Sequence, residues 1–211
     1  MQSWLQFLSS CKVLFSRKVA NQHQMTTAIW SAIKDSQNAL DFAQYLKDFP
    51  QGCNRVVALF KLRQMVPESI ALTARIRVAG DGAWYQAPNG GFLTHGDNVV
   101  QSMTIGFDNN MDPAKLSFAY TCDAAGKGVT RASNAQECPT NGQAPIQGFG
   151  VFVSGSYSQF YTLSTECTVR RGDHSTYHPK SADGSWCGAH SPAPSEYIVN
   201  IMVTVKRKEL N

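Results

Sequence analysis

Apolar and polar residues alternate with a period of two in segment after segment from residue 70 to residue 207, and a chain so patterned buries its apolar side chains by pairing strands into sheets. In the first such segment Ile70, Leu72, Ala74, Ile76 and Val78 alternate with Ala71, Thr73, Arg75 and Arg77, which gives a half-buried strand with a basic outer face. Val99 to Phe107, Leu116 to Cys122, Gly148 to Val153 and Phe160 to Arg170 repeat the pattern. The last segment, Glu196 to Arg207, is apolar on nearly both faces and is expected to be the central and most buried strand. Turn-forming stretches intervene at Gly80-Asp81-Gly82, Pro88-Asn89-Gly90-Gly91 and Asp108 to Pro113. Short strands joined by turns predict a mainly β chain, a β-sandwich of roughly seven to ten strands in two sheets. The connections Ala124 to Pro145 and Arg171 to Pro194 are long enough to be searched for function.

Upstream the period changes. Ile29, Ala32, Ile33, Ala39, Leu40, Ala43 and Leu46 recur at helical spacing, away from Lys34, Asp35, Gln37, Asn38, Asp41 and Asp48, and predict one amphipathic helix from Thr27 to Phe49. Phe49-Pro50-Gln51-Gly52 stops it, because proline disfavours helical geometry in the residue before it and glycine permits a reversal. Arg55 to Arg63 then reads as a strand, so the expected division is an N-terminal helical segment, residues 1–50, and a sandwich domain, residues 51–211. At the start, Trp4, Phe7, Leu8, Cys11, Leu14 and Phe15 share one helical face, the pattern of a helix packed on the domain or lying in a membrane interface. A basic n-region is missing there, Gln6, Ser9, Ser10 and Lys12 interrupt the apolar run, and no stretch reaches the length of about eighteen apolar residues that a spanning helix needs. A soluble protein that retains this segment is expected.

The formal charge of +4 is spread along the chain without a dense Lys/Arg tract, so no nucleic-acid partner is expected. Without a secretory signal, the six cysteines read as reduced structural thiols, with Cys122 and Cys138 placed to bridge in an oxidising compartment. Cys167, His174, His178, Cys187 and His190 are zinc-binding residue types, but their spacing matches no standard site and Pro179 opposes a helix that presents both central histidines, so no metal is expected. The chain has no P-loop, Rossmann glycine signature, nucleophile elbow or paired-histidine zinc helix, which points to a protein without a cofactor that is not an enzyme.

Aromatic residues carry more information. Trp84 and Tyr85 precede the Pro-Asn-Gly-Gly turn that ends at Phe92, and Tyr157, Phe160 and Tyr161 lie between two strand patterns. These six are the candidate membrane- or ligand-binding residues, since Tyr and Trp offer an apolar face and a polar tip to lipid head groups and sugars alike. Any one of them would serve equally to close the end of a sandwich core.

The run Ser31-Ala32-Ile33-Lys34-Asp35 through Leu40-Asp41-Phe42 to Leu46, followed by Asn54-Arg55-Val56-Val57-Ala58-Leu59, resembles the amphipathic helix and first strand of actinoporins, the pore-forming cytolysins of sea anemones. Arg171-Gly172-Asp173 and the closing strand Tyr197 to Val205 resemble that family's Arg-Gly-Asp loop and C-terminal strand. The resemblance implies a toxin: a β-sandwich that docks on a membrane, oligomerises through Arg171, Gly172 and Asp173, and inserts a helix carrying Ile29, Trp30, Ile33, Leu40, Phe42 and Leu46. Expected partners are membrane lipid or a surface glycan, with a homo-oligomer as the active state. The residues themselves leave open a lectin-like sandwich, in which Trp84, Tyr85, Tyr157 and Tyr161 stack on sugars, and a self-assembling coat or inclusion protein.

Overall fold

The computed structural model describes residues 17–80, 82–107, 112–140, 142, 144–189 and 195–210, with side chains in the first helix from residue 23 onward. The expected helical face from Trp4 to Phe15, Asp81, the turn residues 108–111 and His190 lie outside the described residues. The chain forms two compact units, Met1–Pro67 with Glu209–Asn211, and Glu68–Lys208.

The first unit holds three helices, α1 (Arg17–Ile33), α2 (Ala39–Asp48) and α3 (Arg55–Met65). The single helix expected from Thr27 to Phe49 is therefore two. The break has a local cause: the Asn38 side chain accepts from the Leu40 N–H at 3.1 Å as an N-cap, and Ser36 and Asn38 both donate to the Asp41 carboxylate in the first turn of α2. Polar residues that periodicity places on the outer face of one helix here start a second one. α2 buries Ala39, Phe42, Tyr45 and Leu46, and Trp30 meets Tyr45 and Phe42 with ring centroids 5.4 and 6.3 Å apart. The Tyr45 hydroxyl is buried in this cluster and has no hydrogen-bond partner among the described residues. An unmatched buried hydroxyl costs roughly 1–3 kcal/mol, so Tyr45→Phe is expected to stabilise the protein by about 1 kcal/mol. An unchanged or lower urea midpoint for that variant would refute the expectation.

Arg55 to Arg63, expected as a strand, forms the body of α3, so the helical region runs past residue 50. Ala58 and Leu62 lie one turn apart on its buried side. In so short an apolar run the two periods compete, and the helical neighbour decides between them. Pro67 ends α3 by holding Val66 extended, at φ −107° and ψ 100°.

The second unit is mainly β and sandwich-like. Its strands are β1 (Leu72–Val78), β2 (Trp84–Pro88), β3 (Phe92–Thr94), β4 (Val100–Phe107), β5 (Ser117–Ala124), β6 (Gly128–Ser133), β7 (Ile146–Ser154), β8 (Tyr161–Arg170), β9 (Thr176–Tyr177), β10 (Lys180–Ala182), β11 (Cys187–Gly188) and β12 (Tyr197–Arg207). They form three antiparallel sheets where two were expected, in the orders β2-β1-β4, β10-β8-β12-β3 with β9 on β8, and β11-β7-β5-β6. The free edge of β4 is met by a connecting segment: Met103 exchanges backbone hydrogen bonds of 2.9 Å with Cys138, and the Ile105 carbonyl accepts from the Ala135 N–H at 2.8 Å. A connecting segment thus occupies the place where β4 would otherwise join another sheet.

Inward-facing residues of all three sheets make the core: Leu72, Ile76, Met103 and Ile105 from the first, Leu163, Ile201 and Val203 from the second, Phe118, Tyr120 and Phe149 from the third. β12 lies between β8 and β3, yet its Asn200, Met202 and Thr204 are only half-buried, so it is not covered on both faces as expected. β7 is the strand with an unbroken buried run, Ile146 to Val151. Its second face is covered because the Trp186 indole lies flat on Gly148, where a Cβ would come within 1.9 Å of the ring.

Two disulfides hold this unit together. Cys122 on β5 is bonded to Cys138, and Cys167 on β8 to Cys187 on β11, with Cα atoms 6.0 and 6.1 Å apart. Cys53 in the first unit is disulfide-bonded as well, so the expectation of reduced thiols is overturned. Cys122–Cys138 is the pair that the sequence placed to bridge, whereas Cys167 and Cys187 are brought together by the packing of β8 and β11.

Candidate functional site

The structure separates the six candidate aromatic residues. Tyr157, Phe160 and Tyr161 are buried at 4, 6 and 4% exposure, which overturns their expected role as exposed membrane- or ligand-binding rings. The short 3-10 turn Ser158–Phe160 folds them inward, and Tyr157 and Phe160 meet edge to face at 5.7 Å. Burial pushes the Tyr161 hydroxyl up to about 12, an effect that the positive charge of Arg207 opposes. Tyr85 is half-buried and stacks on His95 at 4.1 Å. Of these six, Trp84, at 40%, and Phe92, at 56%, present large apolar surface to solvent.

Trp84 stands at one end of a cleft of about 210 Å³ on the outer face of the β2-β1-β4 sheet. Strand register builds the cleft rung by rung. Arg77 pairs with Trp84 on one side and Ser102 on the other, Arg75 with Gln86 and Thr104, and Thr73 with Pro88 and Gly106. Because side chains on a strand alternate, Arg75 and Arg77 share this face with Trp84 and Thr104, while Ala74 and Ile76 face the core. Phe107 and Ala135 complete the wall. Gly106 permits the approach of Ala135, since a Cβ there would stand 2.8 Å from the alanine methyl.

The two arginines are in different electrostatic states. The Arg77 guanidinium bonds the Glu137 carboxylate, donates to the Ser102 hydroxyl at 3.1 Å, and lies over the Trp84 ring with Cζ 5.4 Å from the centroid. Its charge is paired with Glu137, and its face holds the tryptophan. The Arg75 guanidinium has no hydrogen-bond or salt-bridge partner among the described residues, and neither the Trp84 indole N–H nor the Thr104 hydroxyl has one. Among the described residues no acidic side chain lines the cleft. The site is thus a donor-rich cleft beside an aromatic ring on a rigid sheet. Arg75 and Thr104 are functional candidates that the aromatic pattern did not single out; the signal was present in the basic outer face of the first strand.

The Arg171-Gly172-Asp173 segment is an exposed turn whose side chains are engaged within it and beside it. Arg171 donates to Glu196 at 3.1 Å and covers the Tyr177 ring at 4.5 Å. Asp173 accepts from the Ser175 N–H at 2.9 Å and the Ser175 hydroxyl at 2.6 Å. Those two bonds hold the Asp173 carboxyl below its usual range. The carboxylate therefore shapes the turn, with His174 in the left-handed region at φ 66°.

Among the helix residues expected to enter a membrane, Phe42 and Leu46 are buried in the first unit, and Ile29, Trp30, Ile33 and Leu40 are half-buried. Among the described residues no helix is long and apolar enough to cross a membrane. Cys167 and Cys187 are joined to each other, His178 bonds Thr168 at 3.0 Å, and no three His, Cys, Asp or Glu side chains among the described residues gather as a metal site. No protein family, curated protein or solved structure matches this chain.

Proposed function

We propose that this protein is a non-enzymatic, lectin-like β-sandwich that matures in an oxidising compartment and binds a surface glycan through the cleft on the β2-β1-β4 sheet. The observation that carries the reading is Trp84: a half-exposed indole, held by Arg77, lining a cleft in which the Arg75 guanidinium and the Thr104 hydroxyl have no partner among the described residues. A tryptophan face takes the C–H face of a sugar ring, and flanking donors orient its hydroxyls. The disulfides support the compartment, because buried bridges persist where the redox poise is oxidising. Trp84→Ala is expected to lose at least tenfold in affinity on a glycan array while keeping the wild-type unfolding temperature, since the ring is half-exposed. Absence of binding to every sugar on the array would reject the reading.

A second reading has an observation of its own. On α3, Val56 and Phe60 stand one turn apart at 67 and 60% exposure, beside the basic residues Arg55 and Arg63. An apolar pair with basic neighbours suits the surface of an anionic bilayer. An actinoporin-like cytolysin would use that face to attach and would act as a homo-oligomer. Dye release from anionic liposomes, abolished in Phe60→Ser, supports that reading; intact liposomes at saturating protein reject it.

A further inference from the structure

We infer that the cleft selects an acidic sugar, a pyranose ring bearing a carboxylate or a sulfate, and that Arg75 is the residue that reads the anionic group. The inference rests on the glycan reading above and adds the charge of the ligand.

The argument runs from what the cleft offers and what it lacks. Its unengaged groups are the Arg75 guanidinium and the Trp84 indole N–H, which only donate, and the Thr104 hydroxyl, and among the described residues no carboxylate lines it to compete for them. Sites for neutral sugars combine donors with carboxylate or amide acceptors, because a sugar hydroxyl both gives and takes a hydrogen bond. A site whose unpaired charge is a guanidinium matches a ligand group that is negative and only accepts, and an ionised carboxylate or sulfate is such a group. The planar guanidinium offers two parallel N–H bonds to either. Arg77, one rung away, is neutralised by Glu137, so Arg75 supplies the positive charge not already paired within the cleft. At about 210 Å³ the cleft is smaller than the roughly 300–1,000 Å³ of drug-sized pockets and admits one sugar ring. The net charge of +4 acts in the same direction on association.

Calorimetric titration of the full chain with a hexuronate oligosaccharide, a sulfated oligosaccharide and a neutral oligosaccharide of equal length tests this. At least one acidic ligand is expected to bind tenfold or more tightly than the neutral one, with affinity falling as salt is raised. Which of the two acidic ligands binds better separates carboxylate from sulfate recognition. Arg75→Gln is expected to bring acidic and neutral affinities within a factor of about two of each other, Arg75→Lys to retain part of the preference, and Arg131→Gln, on the third sheet, to leave it unchanged. Equal wild-type affinity for acidic and neutral sugars, or equal losses in Arg75→Gln and Arg131→Gln, overturns the inference while leaving the glycan reading in place. Failure of all three ligands to bind rejects the glycan reading itself.

Discussion

Reduction of the Cys122–Cys138 and Cys167–Cys187 bridges is expected to lower the stability of the β unit by about 3 kcal/mol for each. The bridges close loops with sequence separations of 16 and 20, and the entropy that a cross-link removes from the unfolded chain grows slowly with that length. All four cysteines are buried. Their positions add to the entropic effect. Cys138 belongs to the segment that gives the edge of β4 its backbone partners, and Cys187 belongs to the two-residue strand β11. The Cys122→Ala/Cys138→Ala and Cys167→Ala/Cys187→Ala variants, followed by thermal unfolding, separate the two contributions. A loss of about 3 kcal/mol corresponds to a melting temperature lower by roughly 6–12 °C in a protein of this size. A melting temperature unchanged by reductant, with thiol titration showing full reduction, would contradict the expectation.

Tyr161→Ala and Tyr157→Ala are each expected to destabilise the β unit by about 3–5 kcal/mol, the range for truncating a buried aromatic ring. The sequence places these tyrosines in a loop between strands, where removing them should weaken attachment to a ligand and leave the fold intact. Their burial reverses that expectation. Tyr161 opens β8 opposite Arg207 of β12, and the Tyr157 ring meets both Phe160 and the Lys115 ammonium, 5.7 Å from its centroid. Truncation therefore leaves a cavity under the 3-10 turn at the start of the unit's longest strand pairing. Thermal unfolding monitored by circular dichroism should show the loss in Tyr161→Ala and a smaller one in Tyr161→Phe, which keeps the ring. Wild-type stability in Tyr161→Ala would mean that the ring is solvent-facing after all.

Two kinds of information were separable in this chain. Strands β1, β4, β5, β7, β8 and β12 could be read directly from the sequence, because period-two alternation is a local property: each apolar residue in Leu72, Ala74, Ile76 and Val78 signals its face through its nearest neighbours alone. The basic outer face of β1 was equally visible, since Arg75 and Arg77 follow from the same alternation. The α3 segment was not, because Val56 to Leu59 fits either period and the choice rests on the helical unit around it. The capped break before α2 was present in Ser36, Asn38 and Asp41 but masked by the apolar spacing that continues across it.

Tertiary structure alone decided the rest. Cysteine pairing depends on which strands become neighbours, and Cys167 finds Cys187 only once β8 and β11 are in place. Whether an aromatic residue in a loop faces solvent depends on how the loop folds, which is why Tyr157 and Tyr161 turned inward while Trp84 stayed out. The candidate site has the same origin. Its residues could be named from the sequence, but Trp84 sits beside Arg75 and Arg77 because β1 and β2 pair in the register that sets Arg77 opposite Trp84, and a shift of one residue would have turned that ring to the core.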